Sequence, residues 1–317
     1  MRIGWRTYLK QAFRKKSAYY AVGVAISLDT VTFCALRKQG AALHVAHEET
    51  VSFGQWGKAL SRWTEKHNLA GTPAYVAFSI HWYQMLQIDR PAVEADEIVA
   101  AMTWSVKELT GSDQEMVIDY IDLPVPLAGA AKVNVIAIPK KDVATTCEYI
   151  FESGLTLRHI TVEEVATCDL IEASSDAILT LVQEAGEEIC LNIVKNGHLY
   201  LSRRLKGFEN LGSFTNEELQ MGIGESLSVQ VQRSMDFYES QLRQAPVRQI
   251  KLRLDTQHTD ALALQINQVV NADVSQLIPA GIVCDTPLPL HRLNYTSLGA
   301  ALGATKAMMV VPAEAAA

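Results

Sequence analysis

The chain has 317 residues, 49% hydrophobic and 20% charged, with a formal net charge of −7. That is enough apolar sequence for two domains with cores of their own, which argues against disorder, and the acidic balance argues against broad nucleic-acid binding. The five cysteines are odd in number and never in CxxC spacing, so they indicate neither a disulfide framework nor a zinc site and fit a reducing cytosol.

Residues 1–16 carry Arg2, Arg6, Lys10, Arg14, Lys15 and Lys16 without an acid, while Trp5, Leu9 and Phe13 recur every four residues. The spacing predicts a short basic amphipathic helix. Two placements fit it. Arg2, Trp5, Arg6, Leu9, Lys10, Phe13 and Arg14 could contact an anionic membrane surface, or the apolar stripe could pack on the body of the protein. No apolar run approaches the ~20 residues of a membrane-spanning helix, and the first residues lack the apolar core of a signal peptide, so the chain is expected to be neither embedded nor secreted.

AVGVAISLDTVTFCALRKQG, residues 21–40, alternates around a short turn as a β-hairpin does, and ALHVAHEETVSF continues it as a third strand. GQWGKALSRWTEKHNL places Trp56, Leu60 and Trp63 on one helical face. AYVAFSIHWYQMLQID reads as buried strands. From Pro91 the pattern changes to a helix in EADEIVAAMTWSVKELTG, strands in EMVIDYIDLPV and KVNVIAIP, and a helix ending at Gly154. This run, about residues 90–158, predicts a small α/β unit inserted in a first lobe of residues 18–176.

A second lobe, residues 177–317, opens with alternating strands and an Asn196-Gly197 hairpin signal. NEELQMGIGESLSVQVQRSMDFYESQLRQ predicts one long helix, followed by the strand QIKLRLD and the helix DALALQINQVV. A closing helix, about 295–307, is expected to return to the first lobe. Two hairpin-led halves suggest a duplicated fold.

His44 and His47 have no thiol or carboxylate spaced near them, so no metal is expected. The sequence lacks a phosphate-binding P-loop, a GxSxG elbow and an HExxH helix. Trp82, Tyr83 and Trp104 could line a peptide groove, since aromatic anchors dominate such sites, or could belong to the core.

ADEIVAAMTWSVKE with VIDYIDL, then VIAIPKKDVATTCEYIFESGLTLRHITVE, then VQRSMDFYES, stand in an order that resembles the PilM-type type IV pilus assembly family, most closely its MSHA-biogenesis branch. The resemblance runs from about Ala21 to about Ala304. It implies an α/β, actin-like two-lobed fold of the FtsA/PilM type with an inserted small α/β subdomain. It further implies a cytoplasmic place peripheral to a bacterial inner membrane, and a cleft for the N-terminal tail of a PilN-like protein. The assembly ATPase and the platform protein are further partners by the same resemblance, and nucleic acid is not.

Nucleotide-binding members of this family hold MgATP between two hairpins and a glycine-rich loop. On the first hairpin the family's acid and lysine positions fall on Ala25 and Thr32, with Ser27 at the turn. Asp29 lies nearby but is expected to point away. On the second hairpin Gln183, Glu184 and Ala185 replace Asp-x-Gly, and LDTQHTD, residues 254–260, replaces the glycines. Glycines let backbone approach a ligand, and that loop has none. The resemblance therefore implies a non-catalytic scaffold without a cofactor. The alternatives are an ATPase or nucleotide switch, with Asp29 or Glu184 substituting for the missing acids and MgATP as cofactor, and an adaptor for the assembly ATPase resembling GspL.

Overall fold

The computed structural model describes residues 17–94, 97–111, 114–287 and 289–309. The basic segment with Trp5, Leu9 and Phe13 lies outside them.

Alternating apolar sequence folds first into a meander. Strands β1 (Ala21–Ile26), β2 (Thr30–Gln39) and β3 (Ala42–Ser52) pair antiparallel, and β4 (Pro73–Phe78) and β8 (Thr156–Val162) then add in parallel beside β1. The second half repeats this plan. Strands β9 (Ile178–Val182), β10 (Ile189–Lys195) and β11 (His198–Leu205) form the meander, with β12 (Gln249–Arg253) and β13 (Asp273–Gln276) parallel beside β9. Both sheets therefore share one strand order. The one addition is β14 (Ile282–Cys284), which crosses back to pair with β3 at the edge of the first sheet. The Asn196-Gly197 turn forms as expected, both residues taking positive φ.

Helix α1 (Trp56–Lys66) buries Trp56, Leu60 and Trp63 on one face of the first sheet together with Phe33, Val76 and Ile150. AYVAFSIHWYQMLQID is interrupted: β4 ends at Phe78, a short 3-10 turn spans Ile80–Trp82, and β5 (Gln84–Asp89) leaves for a separate sheet. That sheet, in the order β5, β7 (Lys132–Pro139) and β6 (Met116–Asp122), is covered by α2 (Ile98–Thr110) through Ile98, Met102 and Val106. The inserted unit thus spans about 84–139 rather than 90–158. Its expected last helix, α3 (Lys140–Ser153), packs instead on α1, where Gly57 leaves room for the Tyr149 ring. Neither β8 with the short α4 (Glu163–Cys168) nor β13 and β14 was evident from the sequence pattern.

The long helix expected after Phe214 is broken. A capping box at Thr215 opens a short turn, Met221 and Gly222 leave helical geometry, and α5 (Gly224–Ser240) continues beyond them. Gly222 takes φ +123°, a conformation glycine reaches without a side-chain clash. Helix α6 (Thr259–Val269) packs against α5 over the second core of Leu191, Leu227, Tyr238 and Ile266.

Helix α7 (Tyr295–Met309) lies between β1 and α4. Its small residues permit a close approach, and at Gly23 of β1 an added Cβ would fall 1.8 Å from the Ser297 carbonyl oxygen. Helix α7 is thereby held to the first lobe. Among the described residues no helix is long and apolar enough to cross a membrane.

Candidate functional site

The parallel ladders bring several chain ends together. Ile26 lies beside Phe78 and Phe78 beside Val162, so Ser27, Ser79 and Glu163 leave three neighbouring strands at one level. In the second sheet Val182 lies beside Arg253, so Gln183 and Leu254 leave together. Ligand sites in open α/β sheets lie beyond such carboxyl ends. Between the two sets is a cleft of about 770 Å³.

Five of the six positions that the resemblance assigns to a phosphate site, Ala25, Ser27, Thr32, Glu184 and Ala185, line that cleft, as does much of the loop Leu254 to Asp260. Gln183 sits beneath it. Its amide nitrogen donates to the carbonyls of Glu187 at 2.9 Å and Phe208 at 2.7 Å, and its side-chain oxygen accepts from the Asp255 amide at 3.3 Å. One buried side chain thus fixes the second hairpin to the loop expected to face the adenosine. Asp29 is exposed and is not a lining residue.

Three polar joints tie the sides of the cleft together. In the first, Glu184 Oε1 accepts from the Tyr295 and Thr296 amides at 2.7 and 3.2 Å, at the N-terminal turn of α7 where the helix dipole favours an anion. Its other oxygen lies 3.3 Å from Arg253. The Arg253 guanidinium also donates to the carbonyls of Gln183 and Leu293 and lies 5.4 Å over the Tyr295 ring.

In the second joint, Glu187 of the β9–β10 turn accepts from the Ser27 hydroxyl and, through its other oxygen, meets His81 Nε2 at 2.7 Å. The two hairpin turns are therefore linked directly. In the third, Arg204 of β11 donates from Nε and a terminal nitrogen to Glu164 Oε1 at 3.0 and 2.6 Å, and reaches Glu163 at 3.0 Å. The Tyr83 hydroxyl donates to Glu164, and Asn192 donates to the Glu164 carbonyl at 2.9 Å. A charge this deep is tolerable only when paired and hydrogen-bonded.

Burial pushes the Glu163 carboxyl up to about 7, because desolvation outweighs the attraction of Arg204. Burial also pushes Glu48, a cleft-lining residue on β3, to about 7 against a hydrogen bond from the Asn294 amide. Sequence reading missed Glu48, Glu163, Glu164, Glu187 and Arg204. The available signal was the pair Glu163-Glu164 at a strand end that opens a helix.

The three aromatic candidates are not brought together as a surface groove. Trp82 donates to the Ser27 carbonyl at 3.0 Å and packs on Phe53 and Phe78. Tyr83 is buried against Glu164, whereas Trp104 is 71% exposed on the face of α2 turned from its core. His44 has a carboxylate after all: Asp285, distant in sequence, meets Nδ1 at 2.8 Å. His47 stacks on His67 with ring centroids 3.8 Å apart. Among the described residues no cluster of three or more His, Cys, Asp or Glu side chains could hold a metal ion.

No family model matches the chain, and no curated protein does. Among solved structures it is similar to a chain of a PilM-PilN type IV pilus biogenesis complex at 17% identity and a TM-score of 0.65, over 91% of this chain and 99% of that one. It is similar at 9% identity and a TM-score of 0.51 to the cytoplasmic domain of EpsL, an inner membrane component of the type II secretion system of Vibrio cholerae, over 89% and 94% of the two chains. A Bacteroides thetaiotaomicron protein with an actin-like ATPase fold matches at 12% identity and a TM-score of 0.49, over 90% and 96%. Two sheets of one topology facing each other across a cleft, with a small α/β unit inserted in the first, make this chain a two-lobed protein of the actin-like fold.

Proposed function

We propose that the chain is a non-catalytic scaffold of the inner-membrane assembly complex of an MSHA-like type IV pilus, working at the cytoplasmic face and binding the cytoplasmic tail of a PilN-like protein. The observation that carries the reading is the state of the cleft. Where the two hairpins of this fold would cradle a triphosphate, Glu187 ties the turns together and Glu184 is engaged by Arg253 and the first turn of α7.

The residues present do not fit MgATP. Glu48, Glu163, Glu184, Glu187, Asp255 and Asp260 line the cleft against two arginines and no lysine: Arg253 is already bound to carbonyls and Glu184, and Arg292 is exposed. Phosphate sites need turns whose free N–H groups and cations face the anion, and close like charges repel strongly where water is excluded. The similarity to the PilM chain, spanning nearly all of both chains, supports the pilus context.

The similarity to EpsL supports a second reading, an adaptor that carries an assembly ATPase. Co-purification separates the two. The scaffold reading expects the chain to be retained by a PilN-like partner with an intact N-terminal tail and lost when that tail is removed. Retention by the assembly ATPase alone would favour the adaptor. Titration calorimetry with MgATP should give no saturable heat up to millimolar concentrations, and a saturating single site would overturn the non-catalytic assignment.

A further inference from the structure

We infer that the cleft takes an alkylammonium ligand, either a linear polyamine or the ammonium of a lysine side chain, at the carboxyl ends of β4 and β8 beside the first turn of α7. This rests on reading the cleft as closed to polyphosphate, and it assigns what the same space receives instead.

Three buried oxygens carry the inference. Glu163 Oε1, Ser79 Oγ and Thr296 Oγ1 have no hydrogen-bond partner, and each belongs to a residue that lines the cleft. The three residues are almost wholly buried, at 2%, 5% and 3% exposure. Buried polar atoms are nearly always paired, so three orphans on one cavity wall point to a missing partner. All three can accept a hydrogen bond. An ammonium has three donors and no acceptor, which suits them, whereas a phosphate is an acceptor that a carboxylate repels.

The surrounding charge agrees with the donor count. Glu48, Glu187, Asp255 and Asp260 extend the negative lining, Arg253 is offset by Glu184, and the exposed Arg292 leaves the carboxylates in excess. A compact metal ion is disfavoured, because no three metal-binding side chains converge among the described residues. Carboxylates spread along a cleft instead match positive charges spread along a chain. Ile26, Leu252, Leu254 and Leu277 also line it and would cover the methylene stems between the amines. The volume of about 770 Å³ lies within the range of small-molecule sites.

The test is titration calorimetry of the full chain at near-physiological salt with four probes: spermidine, capped trilysine peptide, magnesium chloride and MgATP. Spermidine should saturate one site. Binding should weaken about tenfold or more in Glu163→Gln, as expected for loss of a charge-assisted hydrogen bond, and stay within about twofold in the exposed control Glu94→Gln. Since Glu163 also touches Arg204, Ser79→Ala serves as a second variant that leaves the ion pair whole, with several-fold weakening expected. Trilysine binding tighter than spermidine, with the same dependence on Glu163, would support the inference and assign the ammonium to a lysine-bearing segment.

Spermidine heat that magnesium chloride abolishes at equal concentration, or that neither variant changes, would overturn the inference in favour of loose surface charge. Absence of binding by both amines would overturn it while leaving the scaffold reading intact. Saturable MgATP binding without amine binding would overturn both.

Discussion

The two hairpin turns face each other from sheets of the same strand order, yet they carry opposite chemistry. The first, between β1 and β2, offers Ala25, Ser27 and Thr32 to the cleft and no charge. The second, between β9 and β10, offers Glu184 and Glu187, and both carboxylates reach across to the other side. Strand register explains the likeness, because a ladder of backbone hydrogen bonds sets where each turn sits. It does not constrain the side chains beyond the last paired residue. The difference teaches that one backbone frame carries an uncharged turn or a charged joint, according to what stands at the turn tips.

The strongest way to break the comparison is to remove the joint that supports both turns from below. Glu164 and Arg204 are 2% and 11% exposed at their side chains; removing Glu164 leaves Arg204 with Glu163, whereas removing Arg204 leaves both buried carboxylates without their cation. Arg204→Met should destabilise the chain by about 3–5 kcal/mol, and adding Glu163→Gln with Glu164→Leu should recover much of that loss. Urea unfolding followed by circular dichroism measures both. A loss under about 1 kcal/mol for the single variant would mean that the lobes do not depend on this pair.

A smaller effect is written in the pH profile. In the folded chain Glu163 titrates near 7 instead of near 4.5, facing Arg204, Glu164, Glu184 and Tyr83. Between those values the folded state holds a proton that the unfolded state has lost, so this group's contribution declines as pH rises from about 4.5 to 7 and is level above. Glu163→Gln removes that slope. Relative to the natural chain the variant should gain roughly 2 kcal/mol on going from pH 5 to pH 8, since each tenfold difference in proton affinity between the folded and unfolded states corresponds to about 1.4 kcal/mol. Parallel profiles for the two proteins would show that the carboxyl is ionised throughout.

Gly23 tests how tightly α7 is bound into the first lobe. A methyl group there meets the backbone of Ser297 and Ala301 and not a flexible side chain, so the helix itself must move. Gly23→Ala should cost about 1–3 kcal/mol, and since α7 begins at the residues bound by Glu184, it should also raise amide exchange at Tyr295 and Thr296. Stability within about 0.5 kcal/mol of the parent, by the yardstick of ordinary surface substitutions, would mean that the helix is seated more loosely.

How much of this could be read from the chain divides along the same line as the two hairpins. The meanders, α1 with its Trp56, Leu60 and Trp63 face, and the Asn196-Gly197 turn follow from local alternation, helical spacing and turn chemistry. Ala25, Ser27, Thr32, Glu184 and Ala185, which the family resemblance singles out, line one cleft. The long-range contacts are not legible, because Arg204 to Glu164, Ser27 to Glu187 and His44 to Asp285 link residues 40 to 241 positions apart. The break at Gly222 is masked because the flanking sequence is strongly helical, and the start of the inserted unit at β5 is unmarked because Ser79–Tyr83 contains no proline or glycine at the change of sheet.

The finest test of the comparison is to disarm the second turn without disturbing its ladder. Glu187 is 12% exposed and His81 32%, so their contact is partly open to water and should contribute about 0–1 kcal/mol to stability. Its larger effect should be dynamic. Glu187→Ala releases Ser27 and His81 together, while the Gln183 side chain still holds the Glu187 carbonyl and keeps the turn in place. Amide exchange should therefore quicken at residues 27–30 of the first turn and 79–82 beside it, and stay unchanged in β9 and β10. His81→Ala should reproduce part of the effect, because Ser27 keeps its bond to the carboxylate. Exchange that remains at the parent's level in both variants would mean that the hairpins are positioned by their sheets alone and that the carboxylate link follows from that placement without enforcing it.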